Sequence, residues 1–354
     1  MNKESADAEV GVSCPVPINE YENVLLAHGA GGKLSHQLVT KMFAPEFGNE
    51  YLDVLHDGAI LSVGESRLAY STDSFVVSPL FFPGGDIGSL AVNGTVNDLS
   101  MCGATPLYLS AAFIIEEGLS MHDLRRIVLS MQASAKIAGV TVVTGDTKVI
   151  ERGKGDKIYI NTSGIGVISS DVSIDPRNAR PGDKIIVSGT IADHGIAIMS
   201  VREGLAFETE LKSDCAALNR LVSTMLAASS RIHVLRDPTR GGVASALNEI
   251  ADSSNVGMTI YETDIPLRDE VQSACEILGF DPLYVANEGK LIAIVHEQDA
   301  GSILNSMKEH PLGKDAAIIG EVTSNNLKTV LMKSRIGGTR VVDMLSGEQL
   351  PRIC

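Results

Sequence analysis

The segment Asp175-Pro-Arg-Asn-Ala-Arg-Pro-Gly-Asp183 divides the chain into two halves that each mix strands with helices. Its prolines and glycine favour a connection between domains rather than a helix or strand. The length of 354 residues also suggests two domains. We predict an α+β fold with an N-terminal domain over residues 23–175 and a C-terminal α/β sandwich domain over residues 176–345. Strands and helices alternate irregularly, which disfavours a doubly wound sheet.

Periodic apolar positions predict the elements of each half. Helices are expected over residues 34–47, 87–102, 120–138, 193–202, 213–228, 241–253 and 268–278. Strands are expected over residues 67–72, 107–115, 140–143, 158–168, 184–188, 257–262, 291–296, 316–323 and 328–333. The helix after Ser120 has the clearest boundaries, because Asp123 completes a capping box and Gly139 ends the apolar pattern.

Both ends of the chain fall outside these domains. Residues 1–22 are polar and acidic without an apolar signal segment, and we predict a disordered extension. Residues 346–354 are predicted to form a mobile tail that ends in Cys354. Eight extended residues reach about 26 Å, which would let this thiol act as a movable nucleophile. Taken alone, the tail also fits a frayed terminus.

The composition disfavours several classes of protein. The chain carries 29 Lys and Arg against 44 Asp and Glu, and the net charge of −15 disfavours nucleic acid. An aromatic content of 4% without Trp gives no stacking platform for bases. No apolar run approaches the roughly 20 residues that span a bilayer. Five scattered cysteines without a CxxC pair argue against a zinc site and a disulfide framework. Together with the missing signal segment and the missing apolar run, they lead us to expect a soluble cytoplasmic protein without a membrane partner.

Four aspartates lie at the ends of apolar segments. They are Asp57, Asp73, Asp98 after Asn97, and Asp146 in the turn-like Thr144-Gly-Asp-Thr-Lys148. Magnesium prefers such oxygen ligands and shares them with the phosphates of a nucleotide. Each aspartate alone is explained equally well as the cap of a turn. Because all four fall within 90 residues, a magnesium–nucleotide site stands beside that explanation.

Three glycine-bearing loops precede helices or strands. They are residues 29–33 after His28, Asp237-Pro-Thr-Arg-Gly-Gly242, and Asn287-Glu-Gly-Lys290. The first two open onto helices, whose N-terminal N–H groups can bind phosphate. The first loop departs from a Walker A motif at both ends. In the third loop, Glu288 is a general base if it is buried, and otherwise a solvated loop residue.

These motifs resemble those of one known superfamily and follow its order. The set consists of the glycine loop after His28, the strand end at Asp73, Gly94-Thr-Val-Asn-Asp-Leu99, Thr144-Gly-Asp-Thr-Lys148, Asp237-Pro-Thr-Arg-Gly-Gly242 and Ala286-Asn-Glu-Gly289. With it, residues 23–354 resemble the superfamily of aminoimidazole-ribonucleotide synthetase and selenophosphate synthetase. The terminal Pro351-Arg-Ile-Cys354, with Phe81-Phe-Pro-Gly-Gly85 and the segment from His310 to Ala317, resembles its HypE branch, the carbamoyl dehydratases of hydrogenase maturation.

The resemblance implies a homodimer whose N-terminal sheets pair into a barrel, with ATP and Mg²⁺ bound in clefts at the interface. It implies that Cys354 accepts a carbamoyl group from a carbamoyltransferase, HypF. ATP would then drive dehydration of that group to a thiocyanate. The nitrile would pass as cyanide to iron on a HypC–HypD scaffold.

The resemblance and the motifs together give candidate residues of three kinds. Catalytic candidates are Cys354 as acceptor, Arg352 beside it, Lys148 to stabilise the phosphorylated intermediate, and Glu288 as base. Nucleotide-binding candidates are Gly31, Gly32, Lys33, Asp57, Asp73, Asn97, Asp98, Thr144, Gly145, Asp146, Asp237 and Arg240. The expected metal ligands among them are Asp57, Asp73, Asp98 and Asp146. His28 and His194 are weaker candidates, and a hydrogen bond at a helix start explains His194 equally well.

Two other functions stay open on the sequence alone. One is a small-molecule kinase or synthetase of the same fold, with selenophosphate or thiamine-phosphate chemistry. Selenophosphate synthetases carry a Cys or selenocysteine near the glycine loop, and no cysteine occupies this loop here. The other is a non-catalytic carrier that presents a modified Cys354 to its partners. The complete set of Asp73, Asp98, Asp146 and Lys148 argues against a decayed nucleotide site.

Overall fold

A computed structural model describes residues 21, 23–204, 211–346 and 353–354. The predicted N-terminal extension, apart from Tyr21, and most of the predicted tail lie outside these residues. The α-helices in the described ranges are α1 (Lys33–Leu38), α2 (Ala44–Phe47), α3 (Ile87–Met101), α4 (Met121–Ala138), α5 (Asp193–Arg202), α6 (Asn219–Ala228), α7 (Gly242–Ser254), α8 (Asp269–Leu278) and α9 (Glu297–Glu309). The strands are β1 (Ala59–Val63), β2 (Ser66–Phe75), β3 (Phe81–Phe82), β4 (Gly85–Asp86), β5 (Ala104–Glu116), β6 (Thr141–Ile150), β7 (Ile158–Ile168), β8 (Lys184–Val187), β9 (Ile232–Arg236), β10 (Gly257–Tyr261), β11 (Ile292–Val295), β12 (Ala317–Thr323), β13 (Val330–Lys333) and β14 (Thr339–Val342).

The N-terminal sheet has the strand order β1-β2-β7-β5-β6. Neighbouring strands are antiparallel except for β5 and β6, which are parallel. Successive side chains of a strand point to opposite faces of the sheet. On one face, Phe75, Leu109 and Ile160 pack in an apolar core with residues of α3 and α4. The opposite face exposes large apolar side chains, namely Tyr70, Tyr108, Ile114, Ile165 and Val167. The sheet therefore has one covered face and one apolar face open to solvent.

Helix α3 joins the two domains. Its first turn is capped by Asp86, whose Oδ1 accepts hydrogen bonds from the N–H groups of Gly88 and Ser89 at 2.7 and 3.0 Å. One side of α3 contacts the N-terminal sheet and α4, and another contacts α6 and β9 of the C-terminal domain. Most of its residues are therefore buried, polar ones included. This packing carries Asn97 and Asp98 to the boundary between the domains.

The C-terminal sheet has the strand order β14-β13-β10-β12-β8-β11-β9. Its strands β8 and β11 are apolar and almost entirely buried, as expected for strands that are covered on both faces. Ile185 and Ile294 belong to the core on the side of α7. Ile186 and Val295 belong to the core on the side of α6 and α9. The domain is thus a three-layer α/β arrangement, and the predicted α+β class is confirmed.

One predicted turn is wrong. Residues 144–148 lie inside β6, which continues to Ile150 rather than ending at residue 143. Strand β6 is an edge strand and is exposed along nearly its whole length, so it lacks the alternation on which a strand prediction depends. Gly145 fits this strand because a Cβ there would lie 2.1 Å from the backbone oxygen of Ala111 on β5.

Other elements differ from the prediction in extent or in number. Helix α6 begins at Asn219 rather than at residue 213. Strands β1, β3, β4, β9 and β14 and helix α9 have no counterpart in the prediction. Helix α9 buries Ala300, Ile303 and Met307, a helical spacing that the sequence did contain.

None of the described helices combines the length and apolar character needed to cross a bilayer. The N-terminal sheet has β1 and β6 as its two edges and does not close on itself within the chain. The barrel across a dimer therefore stays a prediction.

Candidate active site

A cavity of about 620 Å³ lies between the two domains. Its N-terminal wall comes from the loop before β1, the end of β2 and one side of α3. Its C-terminal wall comes from the loop between β9 and α7, one side of α7 along its length and the loop before β11, with Lys328, Asp343 and Met344. The glycine loop before α1 and the last residue of the chain complete the lining.

Most of the predicted site residues line this cavity. They are Gly31, Gly32, Lys33, Asp57, Asp73, Asp98, Asp237, Arg240, Glu288 and Cys354. Arg352 lies outside the described residues. The fold thus brings together groups that are as much as 323 positions apart, from Gly31 to Cys354.

Asn97 does not line the cavity but lies buried behind its wall. Its Nδ2 donates to the carbonyl oxygens of Ala216 at 3.1 Å and Glu288 at 3.3 Å. Its Oδ1 accepts from the N–H of Leu218 at 2.8 Å. Asn97 therefore fixes the loop that carries Glu288 against α3.

The predicted group on β6 is also absent from the cavity lining within one chain. Thr144, Gly145, Asp146 and Lys148 lie on the exposed edge strand. Asp146 and Lys148 form an ion pair with 3.1 Å between Oδ2 and Nζ, and both side chains are largely exposed. His28 likewise has a structural setting, since its Nδ1 accepts from the N–H of Leu25 at 3.0 Å.

The first two glycine loops touch each other. Gly31 has a φ of +73°, and a Cβ there would lie 2.6 Å from the backbone oxygen of Arg240. Gly241 has a φ of +78°, and its Cβ would lie 2.6 Å from the backbone oxygen of Gly31. Both positions therefore favour glycine for conformation and for space. The N–H of Lys33 already donates to the carbonyl of Leu345 at 2.9 Å, so this group is not free for a phosphate.

Buried carboxyl groups face one another across the cavity. Burial raises the pKa of Asp98 well above its ordinary value, and Asp237, Asp73 and Asp57 raise it further. Burial also raises the pKa of Asp237 to about 8, with a further contribution from Asp57. Ser71 acts in the opposite direction, because its hydroxyl donates to Asp98 Oδ2 at 2.7 Å. Without a cation, burial and mutual repulsion therefore favour the protonated forms of Asp98 and Asp237.

Arg236 is a site residue that the sequence prediction missed. Its Nη1 lies 2.9 Å from Asp57 Oδ1, and its Nη2 pairs with Glu249 on α7. The nearby carboxylates overcome the effect of burial and raise the pKa of Arg236 above its ordinary value. A charged residue at the end of the apolar strand β9 was the available signal. Arg236 ties the loop before β1 to the C-terminal domain.

The carboxyl groups fit a divalent cation held jointly with a ligand. Asp57 Oδ2 is buried and has no hydrogen-bond partner among the described residues. Carboxyls that raise one another's pKa would be relieved by a cation between them. Across the described ranges, however, no three Asp, Glu, His or Cys side chains are already arranged around one ion position. These donors therefore suit Mg²⁺ that also uses phosphate oxygens of a nucleotide.

Glu288 is held rigidly at the edge of the cavity. Its N–H donates to Asp214 Oδ1 at 3.0 Å, and its carbonyl accepts from Asn97. Its side chain is almost fully buried, and Oε1 has no hydrogen-bond partner among the described residues. Burial raises the pKa of this carboxyl well above its ordinary value, and Asp237 and Asp214 raise it further. A buried carboxyl with a raised pKa is suited to proton transfer.

The free energy of unfolding of the Gly289→Ala variant is expected to be about 2–3 kcal/mol or more below that of wild type, because the added methyl group overpacks the site. The added Cβ would lie 1.8 Å from the carbonyl oxygen of Asp214, and the loop carrying Glu288 would have to move. Urea denaturation measures the change. Gly301→Ala is the matched control, since Gly301 lies inside α9 with open space around it and should gain about 0.5–1 kcal/mol. Equal stabilities of the two variants would contradict the expectation.

The last two residues of the chain lie between the site and an apolar core to which both domains contribute. Ile353 is 3% exposed and belongs to the same apolar core as Phe75 and Leu90. Its carbonyl lies 2.8 Å from His194 Nε2. A terminal oxygen of Cys354 accepts from the N–H of Val76 at 3.0 Å. The structure thus shows the inward position of the terminal residue.

The Cys354 thiol, the acceptor predicted from the sequence, lines the cavity. Burial raises the pKa of this thiol well above its ordinary value, Glu288 raises it further and Arg240 lowers it. Cys102, Cys215 and Cys275 lie within the folded domains, and burial raises the pKa of each thiol. Cys14 lies outside the described residues. Among the described cysteines, only Cys354 stands at a chain end.

Two family models match most of the chain. The N-terminal domain of AIR synthase related proteins matches residues 55–168, and the C-terminal domain of the same proteins matches residues 180–333. The fold and the inter-domain cavity therefore define a two-domain AIR synthase related protein.

Several relatives share nearly the full length. Carbamoyl dehydratase HypE of Cupriavidus necator is 53% identical over 351 residues, which are 99% of this chain and 100% of the relative. Carbamoyl dehydratase HypE of Escherichia coli (strain K12) is 44% identical over 337 residues, 94% of this chain and 99% of the relative. The chain belongs to the HypE family of carbamoyl dehydratases.

Solved structures agree with this assignment. A crystal structure of hydrogenase maturation protein HypE in complex with ATP has a TM-score of 0.80 at 50% identity and covers 94% of this chain and 100% of its own. A crystal structure of a HypE–HypF complex has a TM-score of 0.83 at 52% identity and covers 87% of this chain and 99% of its own. Thiamine monophosphate kinase of Aquifex aeolicus, with a TM-score of 0.64 at 18% identity, shares the fold alone.

Proposed function

We propose that this protein is an ATP-dependent carbamoyl dehydratase that converts a carbamoyl group on the Cys354 thiol into a thiocyanate. The observation that carries the proposal is that the terminal thiol lies in the same cavity as Glu288 and the buried aspartates. The names of the full-length relatives and the ATP complex of a solved relative support it. The thiocyanate would supply the cyanide ligand for the iron of a nickel–iron hydrogenase.

The overall reaction removes the elements of water from the thiocarboxamide. The carbamoyl oxygen is a poor leaving group, so it first attacks the γ-phosphorus of ATP, which releases ADP and leaves the oxygen phosphorylated. The oxygen then departs as part of phosphate. The C–O bond breaks, the two N–H protons leave and the C≡N bond forms. The products are the thiocyanate, ADP and phosphate. Positioning and charge stabilisation dominate catalysis of such phosphoryl transfers.

Glu288 is proposed to accept a proton from the carbamoyl nitrogen. Its carboxyl lies in the same cavity as the thiol, and burial makes the ionised form a stronger base than an exposed glutamate. Arg240 lines the same cavity and would offset negative charge on the phosphorylated oxygen.

The aspartates that line the cavity are proposed to hold Mg²⁺ together with the phosphates. The candidates from this chain are Asp57, Asp73 and Asp98. The ion would neutralise charge that develops on the transferred phosphoryl group. Gly31, Gly32, Lys33 and Asp237 are proposed to contact the nucleotide, because they line the same space.

A homodimer is proposed to complete the site. The exposed sheet face of the N-terminal domain carries Tyr70, Tyr108 and Ile165, and apolar area of this kind favours association. Asp146 and Lys148 lie on the exposed edge strand β6 of the same sheet. In a paired arrangement they would reach the cavity of the second copy, where Asp146 would join the metal ligands and Lys148 would stabilise the phosphorylated carbamoyl group.

The proposed partners follow from the chemistry of the tail. A carbamoyltransferase of the HypF kind would load Cys354, and the solved HypE–HypF complex of a relative supports this partner. A HypC–HypD iron scaffold would accept the cyanide. The cytoplasm stays the predicted location.

The proposal is tested by mass spectrometry of the C-terminal peptide. Protein carbamoylated by its transferase is incubated with Mg²⁺ and ATP, and the peptide is expected to lose about 18 mass units, the mass of water. The Cys354→Ser variant should carry no carbamoyl group yet still bind nucleotide. A wild-type peptide that keeps its mass would support the carrier alternative. Carbamoylation of another cysteine in Cys354→Ser would contradict the terminal-thiol chemistry.

A further inference from the structure

Two hydrogen bonds and one apolar side chain hold the chain terminus in its inward position. Ile353 is buried in an apolar core to which both domains contribute. Its carbonyl oxygen accepts from His194 Nε2, which lies 2.8 Å away on the fully buried first turn of α5. One oxygen of the Cys354 carboxylate accepts from the N–H of Val76 at 3.0 Å. These contacts are made by backbone groups and by the free carboxylate, and the thiol forms a separate hydrogen bond with the Glu288 carboxyl.

The proton on His194 is placed by its own neighbours. Because a carbonyl oxygen only accepts, Nε2 must carry the hydrogen in the contact with Ile353. Nδ1 then accepts from the hydroxyl of Ser213 at 2.8 Å. That hydroxyl is itself oriented, because its oxygen accepts from the N–H of Cys215 at 3.1 Å. Burial lowers the pKa of His194, which favours the same neutral form.

The position of His194 is also fixed by the turn between β3 and β4. The ring packs edge-on against Phe82 with 5.6 Å between ring centroids. The carbonyl of Pro83 accepts from the N–H of Ser213 at 2.9 Å. Gly84, with a φ of +91°, lets this turn come close, since a Cβ there would lie 2.6 Å from the carbonyl oxygen of Ser213. The donor is therefore held in place by packing on two sides.

We infer that His194 and the N–H of Val76 form a binding seat for a free chain terminus, which recognises the last two residues as an apolar residue followed by a terminal carboxylate. His194 is a positioning residue, because it sets the place of the Cys354 thiol through the carbonyl of Ile353. The inference deepens the proposed function by assigning how the acceptor is seated, and it rests on that function only for the role of the thiol.

The seat has a consequence for chain length. One added residue would replace the terminal carboxylate by an amide, and the new residue would have to continue past the N–H of Val76. The contact would lose its charge, and charge-assisted hydrogen bonds are about twice as strong as neutral ones. We therefore expect an added residue after Cys354 to weaken the inward position.

The test measures how fast iodoacetamide alkylates Cys354 in the full-length protein without ATP or a carbamoyl donor. The mass of the C-terminal peptide gives the rate. A single glycine appended after residue 354 should raise the rate by about fivefold or more, as should His194→Ala, since a net hydrogen bond contributes roughly this factor. His194→Gln keeps an N–H donor near the position of Nε2 and should stay within about twofold of wild type.

His233→Ala is the matched control for removal of a partly buried histidine. His233 Nδ1 pairs with Asp183 Oδ2 at 2.7 Å in the C-terminal domain, where it does not line the site. Cys354 in the His233→Ala variant should be alkylated at the wild-type rate. Equal protection in the glycine-extended chain would overturn the inference, as would equal increases in His194→Ala and His233→Ala. Protection of the tail without a mass loss on Mg²⁺ and ATP would keep the seat and reject the dehydratase function.

Discussion

The Glu288→Gln variant is expected to dehydrate the carbamoyl group about 10²- to 10⁴-fold more slowly than wild type, the usual contribution of a general base. The amide has the shape of the carboxyl but cannot accept the proton. Its backbone contacts to Asp214 and Asn97 do not involve the side chain and should persist. The rate is measured in a single turnover, as loss of water from the C-terminal peptide of carbamoylated protein after Mg²⁺ and ATP are added.

Glu249→Gln is the matched control for that experiment. Glu249 lines the same cavity, but it pairs with Arg236 and is partly exposed. We expect its rate to stay within a few-fold of wild type. Nucleotide binding and thermal stability of Glu288→Gln should equal or exceed those of wild type, because a buried carboxyl is removed. If Glu288→Gln kept more than a tenth of the wild-type rate, the role of Glu288 as base would be rejected.

The sequence predicted best those site residues that are placed by the strand, loop or helix to which they belong. Asp73 was expected at the end of a strand, and β2 delivers it to the cavity. The Asp237–Gly242 loop was expected before a helix, and α7 begins there. Glycines in these loops have visible local causes, such as the φ of +73° at Gly31. Such features are encoded within a few residues, so a single sequence reveals them.

Residues that act through distant partners could not be predicted in the same way. Arg236 matters because Asp57 lies 2.9 Å away, although 179 positions separate them in the chain. His194 matters because Ile353 lies 159 positions away. No local pattern encodes either pairing. The extent of the edge strand β6 was predicted wrongly for a different reason. An exposed strand has no buried face that would produce an alternation of apolar and polar residues.

The free energy of unfolding of the wild-type protein without ligand is expected to fall by about 1 kcal/mol per pH unit between pH 5 and 8. The pKa of Asp237 is about 8 in the folded protein, and burial and neighbouring carboxyls raise it above its ordinary value of 3.8. Between these two values the folded state holds a proton that the unfolded state has released. Stability then decreases as pH rises, by at most about 1.4 kcal/mol per unit for each such group.

Other groups change this slope in known directions. Raised pKa values at Asp98 and Glu288 add to the decrease. The lowered pKa of His194 opposes it below about pH 6.5, because the unfolded histidine gains a proton that the buried one does not. Carboxyls with lowered pKa, such as Asp299 at about 2, lose their contribution only at lower pH. The decrease should therefore be clearest between pH 6.5 and 8.

Urea denaturation of Asp237→Asn over this pH range checks the assignment. In this variant the free energy of unfolding should fall less steeply with pH, by about the contribution of one titrating group, because the amide cannot release a proton. Asp252→Asn, which changes an exposed carboxylate at the same cavity, should keep the wild-type slope. Mg²⁺ with ADP should stabilise wild type more at pH 8 than at pH 6, since a cation favours the ionised carboxylates that protons compete for. A wild-type slope of the opposite sign, or one unchanged in Asp237→Asn, would show that the acidic cluster does not retain its protons in the folded state.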